Sequence, residues 1–195
     1  MSTREDPYRP LHEQLLGRLA EHRVDFIVIG GVGLQLLGYP EQTTDLDIAL
    51  AIDEANQTRL DAALAELEAR PLRRDGTPTW DTTLGRLEIV ENASGIGGYD
   101  AWTAEATPRL LGDGTAVRVA SGRQIELNKT VAGRQKDLDA LPAIRAALIR
   151  HGELDPSDAH GPVATSPQPQ APPSTSRVAE LALGPRPGEE QRARR

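Results

Sequence analysis

Cysteine is absent from this chain, and aromatic residues are scarce: two tryptophans, three tyrosines and one phenylalanine. Without cysteine the chain has neither a disulfide framework nor a thiolate metal site. With so few aromatic rings, a hydrophobic core must be built from Leu, Ile, Val and Ala. A chain of 195 residues is long enough for such a core, either as one domain or as one domain with a tail.

Long apolar runs and internal repeats are missing as well. No stretch approaches the roughly 20 apolar residues that are needed to cross a bilayer. The N-terminal sequence MSTREDPYRP lacks the apolar core of a signal peptide. These absences predict a soluble, cytoplasmic protein that has no membrane partner.

Basic charge is in short supply overall, but it is concentrated in one region. The net charge is −7, whereas residues 114–150 carry seven basic and three acidic side chains. A basic region of this kind could receive a triphosphate or the end of an RNA chain. Solvated helix faces would give the same composition, so the charge pattern alone leaves both interpretations open.

The most informative stretch is a strand–turn–helix–strand pattern within residues 26–50. An apolar strand at 26–29 runs into a glycine turn at 30–33, and a brief helix ends at Gly38. A second strand then opens with the sequence TDLDI, starting at Thr44. Because side chains two apart on a strand project from the same face, Asp45 and Asp47 are predicted to stand side by side.

Two neighbouring carboxylates predict a cation site. At about 4 Å they repel each other by on the order of 4 kcal/mol at an effective dielectric near 20, and bound divalent cations relieve that repulsion. The glycine turn beside them offers backbone N–H groups to an anion. Cation-binding carboxylates next to a phosphate cradle predict metal-assisted phosphoryl or nucleotidyl chemistry.

Two other interpretations of this stretch are open. Asp45 and Asp47 could lie on a solvated strand edge, although their apolar neighbours favour burial. The glycines could begin a dinucleotide-binding fingerprint, but Leu36 stands where that fingerprint has its third glycine. Asp53, about 20 residues beyond the turn, keeps this second interpretation open.

The rest of the pattern predicts an α+β domain of mixed topology. Helices are expected at about 10–23, 53–69, 121–132 and 136–150; Asp53 is the N-cap of the second, a Ser121–Gln124 capping box opens the third, and Pro142 lies near the start of the main body of the fourth. Short strands are expected within 72–90, with turns at Asp75-Gly76 and Leu84-Gly85, and a hairpin is expected from 108–111 to 117–120.

Composition changes beyond about residue 152, where proline, serine, threonine and glutamine dominate. Such a segment cannot bury enough apolar surface to offset the entropy of ordering, so it predicts a disordered tail. The expected organisation is therefore a domain at 1–151 and a tail at 152–195. The domain divides into a core at about 11–120 and C-terminal helices at 121–151.

Three segments together resemble the small bacterial nucleotidyltransferase domains of the DNA-polymerase-β-like superfamily. They are the glycine pair Gly30-Gly31, the unit Thr44-Asp45-Leu46-Asp47, and the helical segment 127–139. The chain looks most similar to the AbiEii-like and MenT-like toxins of toxin–antitoxin systems. The resemblance covers about residues 11–150 and implies a small mixed sheet flanked by helices.

The resemblance implies a role for each matching strand and turn residue. Gly30, Gly31 and Thr44 would contact the nucleotide. Asp45 and Asp47 would hold two magnesium ions, and Glu88 occupies the position of a third acid that binds metal or assists deprotonation. Glu88 could instead simply reach solvent, as strand glutamates often do.

Further implied roles fall on the helical segment 127–139. Lys129 and Arg134 would contact the triphosphate, and Asp137, or alternatively Asp139, would be the acid that follows. The same residues could be a surface lysine and acids that favour the first turn of a helix. The implied substrates are a nucleoside triphosphate and a tRNA 3′ end, and a cognate antitoxin is an implied protein partner.

The sequence departs from the family pattern at three positions. Val32 follows the second glycine, where serine or alanine is common. Gln42 stands where an arginine commonly precedes the T-x-D unit, and the third acid is Glu88 rather than aspartate. Two alternatives therefore stand beside tRNA nucleotidylation: transfer to a protein side chain or an aminoglycoside, and a non-catalytic nucleotide-binding or antitoxin module with a degenerate site.

Overall fold

A computed structural model describes residues 7–72 and 77–157 of the chain. Within them, helices cover both faces of one mixed sheet. The predicted turn at Asp75-Gly76 and the predicted tail from residue 158 onward lie outside the described residues.

The elements alternate between helix and strand in the first half of the described chain. The helices are α1 (Arg9–Glu21), α2 (Gly30–Leu36), α3 (Glu54–Glu66), α4 (Tyr99–Thr103), α5 (Gly122–Ala132) and α6 (Gln135–Arg150). The strands are β1 (Phe26–Val28), β2 (Asp45–Leu50), β3 (Arg70–Leu72), β4 (Thr79–Thr82), β5 (Gly85–Ile89), β6 (Thr107–Leu110) and β7 (Ala116–Val119). Among the helices described, none combines the length and apolar character that a membrane crossing requires.

The sheet has the strand order β3-β4-β5-β2-β1-β7-β6. β1 pairs antiparallel with β2 and parallel with β7, while β2 pairs parallel with β5. The outer pairs β3–β4, β4–β5 and β6–β7 are antiparallel, and the last of these is the hairpin predicted from the sequence. The mixed α+β fold class expected from the sequence is confirmed.

Alternation along the central strands separates two hydrophobic layers. In β2, Leu46 and Ile48 point into the layer that α1 and α3 complete. Ala49 points into the other layer, which α2, α5 and α6 complete. Asp45 and Asp47, on the same side of the strand as Ala49, are therefore turned toward α2, α5 and α6.

Two predicted helix starts are confirmed in detail. The Asp53 carboxylate accepts a hydrogen bond from the Asn56 amide at 2.8 Å and so caps α3. Ser121 and Gln124 form a reciprocal capping box at the start of α5. Such caps satisfy amide groups that have no partner within the helix.

The expectation that Pro142 lies near the start of the main body of the last helix is wrong. α6 begins at Gln135, so Pro142 is its eighth residue and lies in the interior. A proline there removes one backbone hydrogen bond. The helix continues because Leu141, Ile144 and Leu148 bury one face against the core, while Pro142 lies on the exposed face.

Two residues of the predicted tail contact the body of the protein. The Tyr39 hydroxyl donates a hydrogen bond of 2.5 Å to Glu153, and Leu154 packs against the layer beneath α5 and α6. Tyr39 is buried, and burial together with the neighbouring Glu153 carboxylate raises the pKa of its hydroxyl. The chain is thus fastened to the core just after α6.

Candidate active site

Strand pairing brings the predicted acids to one place. Because β1 and β2 are antiparallel, the chain leaves β1 beside the first residues of β2, and the Ile29 amide donates to the Asp47 carbonyl at 3.0 Å. β5 lies parallel on the other side of β2, with Glu88 directly opposite Asp47. Asp45 and Asp47, two apart on β2, share one face of the sheet with Glu88.

Gly30 makes room for the Asp47 carboxylate. Its φ of +62° lies in the left-handed region that favours glycine. A Cβ atom at this position would lie 2.1 Å from Oδ2 of Asp47. At Gly31, a Cβ atom would lie 2.7 Å from the Cβ of Thr43. The glycine pair therefore permits close packing of the turn against the acid and against the loop that precedes β2.

The pKa of the Asp47 carboxyl group is strongly shifted by its surroundings. Burial raises the pKa of its carboxyl to about 7, and repulsion from Glu88 and Asp45 contributes to the increase. The positive charges of Lys136 and Arg134 act in the opposite direction. Asp47 is thus repelled by both of the other predicted acids, and Arg134 and Lys136, at the start of α6, face it with positive charge.

Asp45 is held by an arginine that the sequence analysis did not select. Nη1 of Arg86 lies 2.8 Å from Oδ1 of Asp45, and the Thr44 hydroxyl donates to the same oxygen at 3.2 Å. Arg86 lies opposite Asp45 in the pairing of β2 with β5. Alternation could have placed Arg86 on the same face as Glu88, because it precedes Glu88 by two residues on the same strand.

The chemical nature of these acids suits a divalent cation, but their side chains do not form a preformed metal site. Carboxylate oxygens are the ligands that magnesium prefers. Burial and like-charge repulsion together raise the pKa of Asp47, and a divalent cation would relieve the repulsion. Nevertheless, in the part of the chain described, no three acidic or histidine side chains are grouped closely enough to hold a metal ion. In this arrangement Arg86 occupies one oxygen, Oδ1, of Asp45.

A second charged cluster lies between α5, α6 and the loop before β2. Nζ of Lys129 lies 3.3 Å from Oδ1 of Asp137 and 3.4 Å from Oε1 of Glu41. Nε of Arg134 lies 2.5 Å from the other oxygen of Asp137. The Asp137 side chain is 1% exposed. Asp139 is exposed and accepts a hydrogen bond from Gln135 instead, so the structure joins Asp137, not Asp139, to Lys129.

Sequence reasoning missed two members of these clusters besides Arg86. Glu41 reaches Lys129 from 88 positions earlier in the chain, and no local pattern signals such a contact. Lys136, one residue before Asp137, carries positive charge toward Asp47. Its place in the basic region 114–150 was the available signal.

The dinucleotide-binding interpretation of the glycine turn is wrong. That fingerprint requires a parallel strand–helix–strand unit, whereas β1 and β2 on either side of α2 are antiparallel. Asp53, which kept the interpretation open, caps α3. The interpretation of Asp45 and Asp47 as a solvated edge also fails, because β2 lies between β5 and β1 in the middle of the sheet.

Comparison with solved structures identifies the fold. The chain is similar to an antigenic nucleotidyltransferase-like protein from Paracoccidioides brasiliensis, with a TM-score of 0.51 and 19% identity over 72% of this chain and 76% of that one. It is also similar to ANT(2″)-Ia in complex with adenylyl-2″-tobramycin, with a TM-score of 0.51 and 16% identity over 74% of this chain and 91% of that one. No protein-family model and no curated protein matches the sequence. The fold is that of nucleotidyltransferase-like proteins, as the resemblance implied.

Proposed function

We propose that this chain is a magnesium-dependent nucleotidyltransferase, which transfers a nucleoside monophosphate from a nucleoside triphosphate to an acceptor hydroxyl. One observation carries the proposal: the half-buried Asp47 carboxylate lies against Gly30, repels Asp45 and Glu88, and faces the positive charges of Arg134 and Lys136. Carboxylates that favour a cation and positively charged side chains that favour phosphate therefore face each other in this part of the fold.

Asp45 and Asp47 would hold two magnesium ions, with Glu88 as a third acid. Bound magnesium neutralises charge on the phosphates and on the attacking and leaving oxygens. Because Gly30 has no side chain, it leaves room for the Asp47 carboxylate in its present position. Thr44, which donates to Asp45, would orient that ligand close to the nucleotide.

Phosphate binding falls to the glycine turn and to the cationic side chains. The amide groups at the start of α2 have no acceptor within the helix, so those near Gly31 can donate to phosphate oxygens. Lys129, Arg134 and Lys136 would balance the negative charge of the leaving pyrophosphate. The buried Asp137 carboxylate holds Lys129 and Arg134 together, which makes it a positioning residue in this proposal.

In the reaction, the acceptor oxygen forms a bond to the α-phosphorus as the bond from that phosphorus to the bridging oxygen breaks. Pyrophosphate leaves with the electron pair of the broken bond. The acceptor hydroxyl loses its proton, and Glu88 is the proposed recipient. Such chemistry depends mainly on positioning and charge stabilisation, which the residues named above would supply.

We further propose that the acceptor is the 3′ end of a tRNA, in a cytoplasmic toxin that a cognate antitoxin protein restrains. The resemblance to AbiEii-like and MenT-like toxins motivates this step, and the exposed positive charge beside the acids supports it. Arg134 is 58% exposed, and Lys136 is exposed as well. A polyanionic acceptor would be attracted to such a surface.

An aminoglycoside is the second candidate acceptor. The similarity in fold to a protein solved with adenylyl-2″-tobramycin favours it. The acidic net charge of −7 would also attract a polycation. The exposed cations beside the acids argue for RNA over this alternative.

The test incubates the protein with Mg²⁺, each labelled nucleoside triphosphate in turn, and either total tRNA or tobramycin. We expect label on tRNA with the wild type and none with Asp45→Asn. Asp100→Asn, an exposed aspartate on α4, serves as the matched control and should retain transfer. Label on tobramycin or on protein would mean that the acceptor is not tRNA, but it would still support nucleotidyl transfer. Saturable nucleotide binding without any transfer would refute the enzymatic proposal.

A further inference from the structure

We propose that Glu41 is an internal anion that occupies Lys129 when nucleotide is absent, and that it determines the affinity for the triphosphate. The inference rests on the proposed function, because it takes Lys129 to be a phosphate ligand. Its starting point is the ion pair between Glu41 and Lys129, whose side chains are only 15% and 11% exposed.

Glu41 is placed by the short loop between α2 and β2. Its backbone carbonyl accepts a hydrogen bond from the Gln35 side chain at 3.0 Å. Two residues later, Thr43 packs against Gly31 of the glycine turn. The same loop therefore contacts the phosphate-binding turn and delivers a carboxylate to Lys129. A triphosphate that reached both groups would arrive beside a like charge.

The two carboxylates on Lys129 are held very differently. Asp137 is fixed by Lys129 and Arg134 together and is 1% exposed. Within residues 7–72 and 77–157, the Glu41 carboxylate has Lys129 as its one hydrogen-bonding or ionic partner. If Glu41 withdraws, Lys129 keeps Asp137 and is not left as an unpaired buried charge. Glu41 is therefore the anion that a phosphate can replace.

Removal of the charge on Glu41 should therefore increase the affinity of the protein for a triphosphate. Glu41→Gln preserves the size of the side chain and removes its repulsion toward phosphate. We expect this variant to bind Mg²⁺–tripolyphosphate, a probe that lacks a base, about fivefold or more tightly than the wild type. The gain should be larger for tripolyphosphate and for nucleoside triphosphates than for the uncharged nucleosides. A purely structural role for Glu41 would not produce this dependence on ligand charge.

A matched control is available on α5. Glu126 forms an ion pair of 2.6 Å with Arg145, and its side chain is 14% exposed, close to the value for Glu41. Glu126→Gln removes the charge of a similarly buried glutamate that pairs with Arg145 rather than with Lys129. It should leave the affinity for tripolyphosphate unchanged. Isothermal titration calorimetry on the full chain measures all three proteins under the same conditions.

Each outcome decides the inference. Tighter binding by Glu41→Gln with unchanged binding by Glu126→Gln supports it. Equal or weaker binding by Glu41→Gln overturns it, while binding by the wild type would leave the proposed function standing. If neither protein binds tripolyphosphate or any nucleoside triphosphate, both proposals fall. Should Glu41→Gln not fold, Glu41→Asp withdraws the carboxylate by one methylene, and binding no tighter than that of the wild type would contradict the inference.

Discussion

On the strand side of the candidate site Asp47 faces two other acids, Asp45 and Glu88, whereas on the helix side Lys129 lies between the carboxylates of Glu41 and Asp137. The strand side accumulates like charge, and this repulsion contributes to the raised pKa of Asp47. The helix side alternates charge, with contacts of 2.5 to 3.4 Å between opposite signs.

The difference indicates which half of the site stabilises the fold and which half depends on a ligand. A buried carboxylate between two cations is favourable only while its partners remain. Partly buried acids that repel one another cost folding free energy unless a proton or a cation neutralises them. Removal of one negative charge should therefore have opposite effects on stability in the two halves.

The largest effect is expected at Asp137. Asp137→Asn removes the charge that holds both Lys129 and Arg134 and leaves a buried ammonium group with Glu41 alone. We expect the free energy of unfolding to fall by about 3 kcal/mol, measured by urea denaturation at neutral pH. Asp139→Asn, two residues later and exposed, should change it by less than about 0.5 kcal/mol. Equal effects of the two variants would contradict the assigned roles.

A somewhat smaller effect is expected at the glycine turn. In Gly30→Ala the new methyl group would lie where the Asp47 carboxylate now packs, so that carboxylate must move. A displacement of about 1 Å in such a site costs roughly 100-fold in rate, which the labelled-transfer assay measures.

Gly38→Ala separates this clash from backbone strain. Gly38 also has a positive φ, of +87°, but no atom lies within 4 Å of an added Cβ. It should lose stability and keep most transfer activity. Equal loss of transfer in both alanine variants would show that backbone strain, rather than contact with Asp47, is responsible.

The smallest of the three effects concerns pH. The folded state raises the pKa of Asp47 to about 7 from the ordinary value of 3.8, so it retains a proton that the unfolded chain has lost. The contribution of Asp47 to stability is therefore full below about pH 4 and disappears as the pH rises through 7. In EDTA above pH 7, Asp47→Asn should be more stable than the wild type by on the order of 2 kcal/mol. This is about half of the free energy that the full shift in pKa represents, because the half-buried carboxylate is partly screened by solvent.

Thermal denaturation of both proteins between pH 4 and 8 tests this expectation. The difference between them should grow up to about pH 7 and then level off. A difference that does not depend on pH, or a less stable variant above pH 7, would show that the acids do not repel one another in the folded protein.

The strand side was predictable from the sequence because it is made of local patterns. Alternation along β2 fixes the face of Asp45 and Asp47, and the glycine pair before them marks the turn. Glu88 on β5 was selected by resemblance, and the parallel pairing of β5 with β2 could not be read from the sequence. The pairing of Arg86 with Asp45 was missed for the same reason: alternation gives a face, not a partner.

The helix side depended on resemblance and on distant contacts. Lys129 and Asp137 were selected because they match a family pattern, while spacing alone could not choose between Asp137 and Asp139. Glu41 was missed because its contact joins residues 88 positions apart. The position of Pro142 was mispredicted because burial of one face of α6 outweighs the lost hydrogen bond.

Calorimetric titration of Mg²⁺ and a non-hydrolysable nucleoside triphosphate into the wild-type chain measures whether Asp45 and Asp47 form a metal–nucleotide site. We expect the nucleotide to bind together with Mg²⁺, and Asp47→Asn to lose Mg²⁺-dependent binding. If neither ligand binds the wild type, alone or together, then Asp45 and Asp47 do not form a metal–nucleotide site.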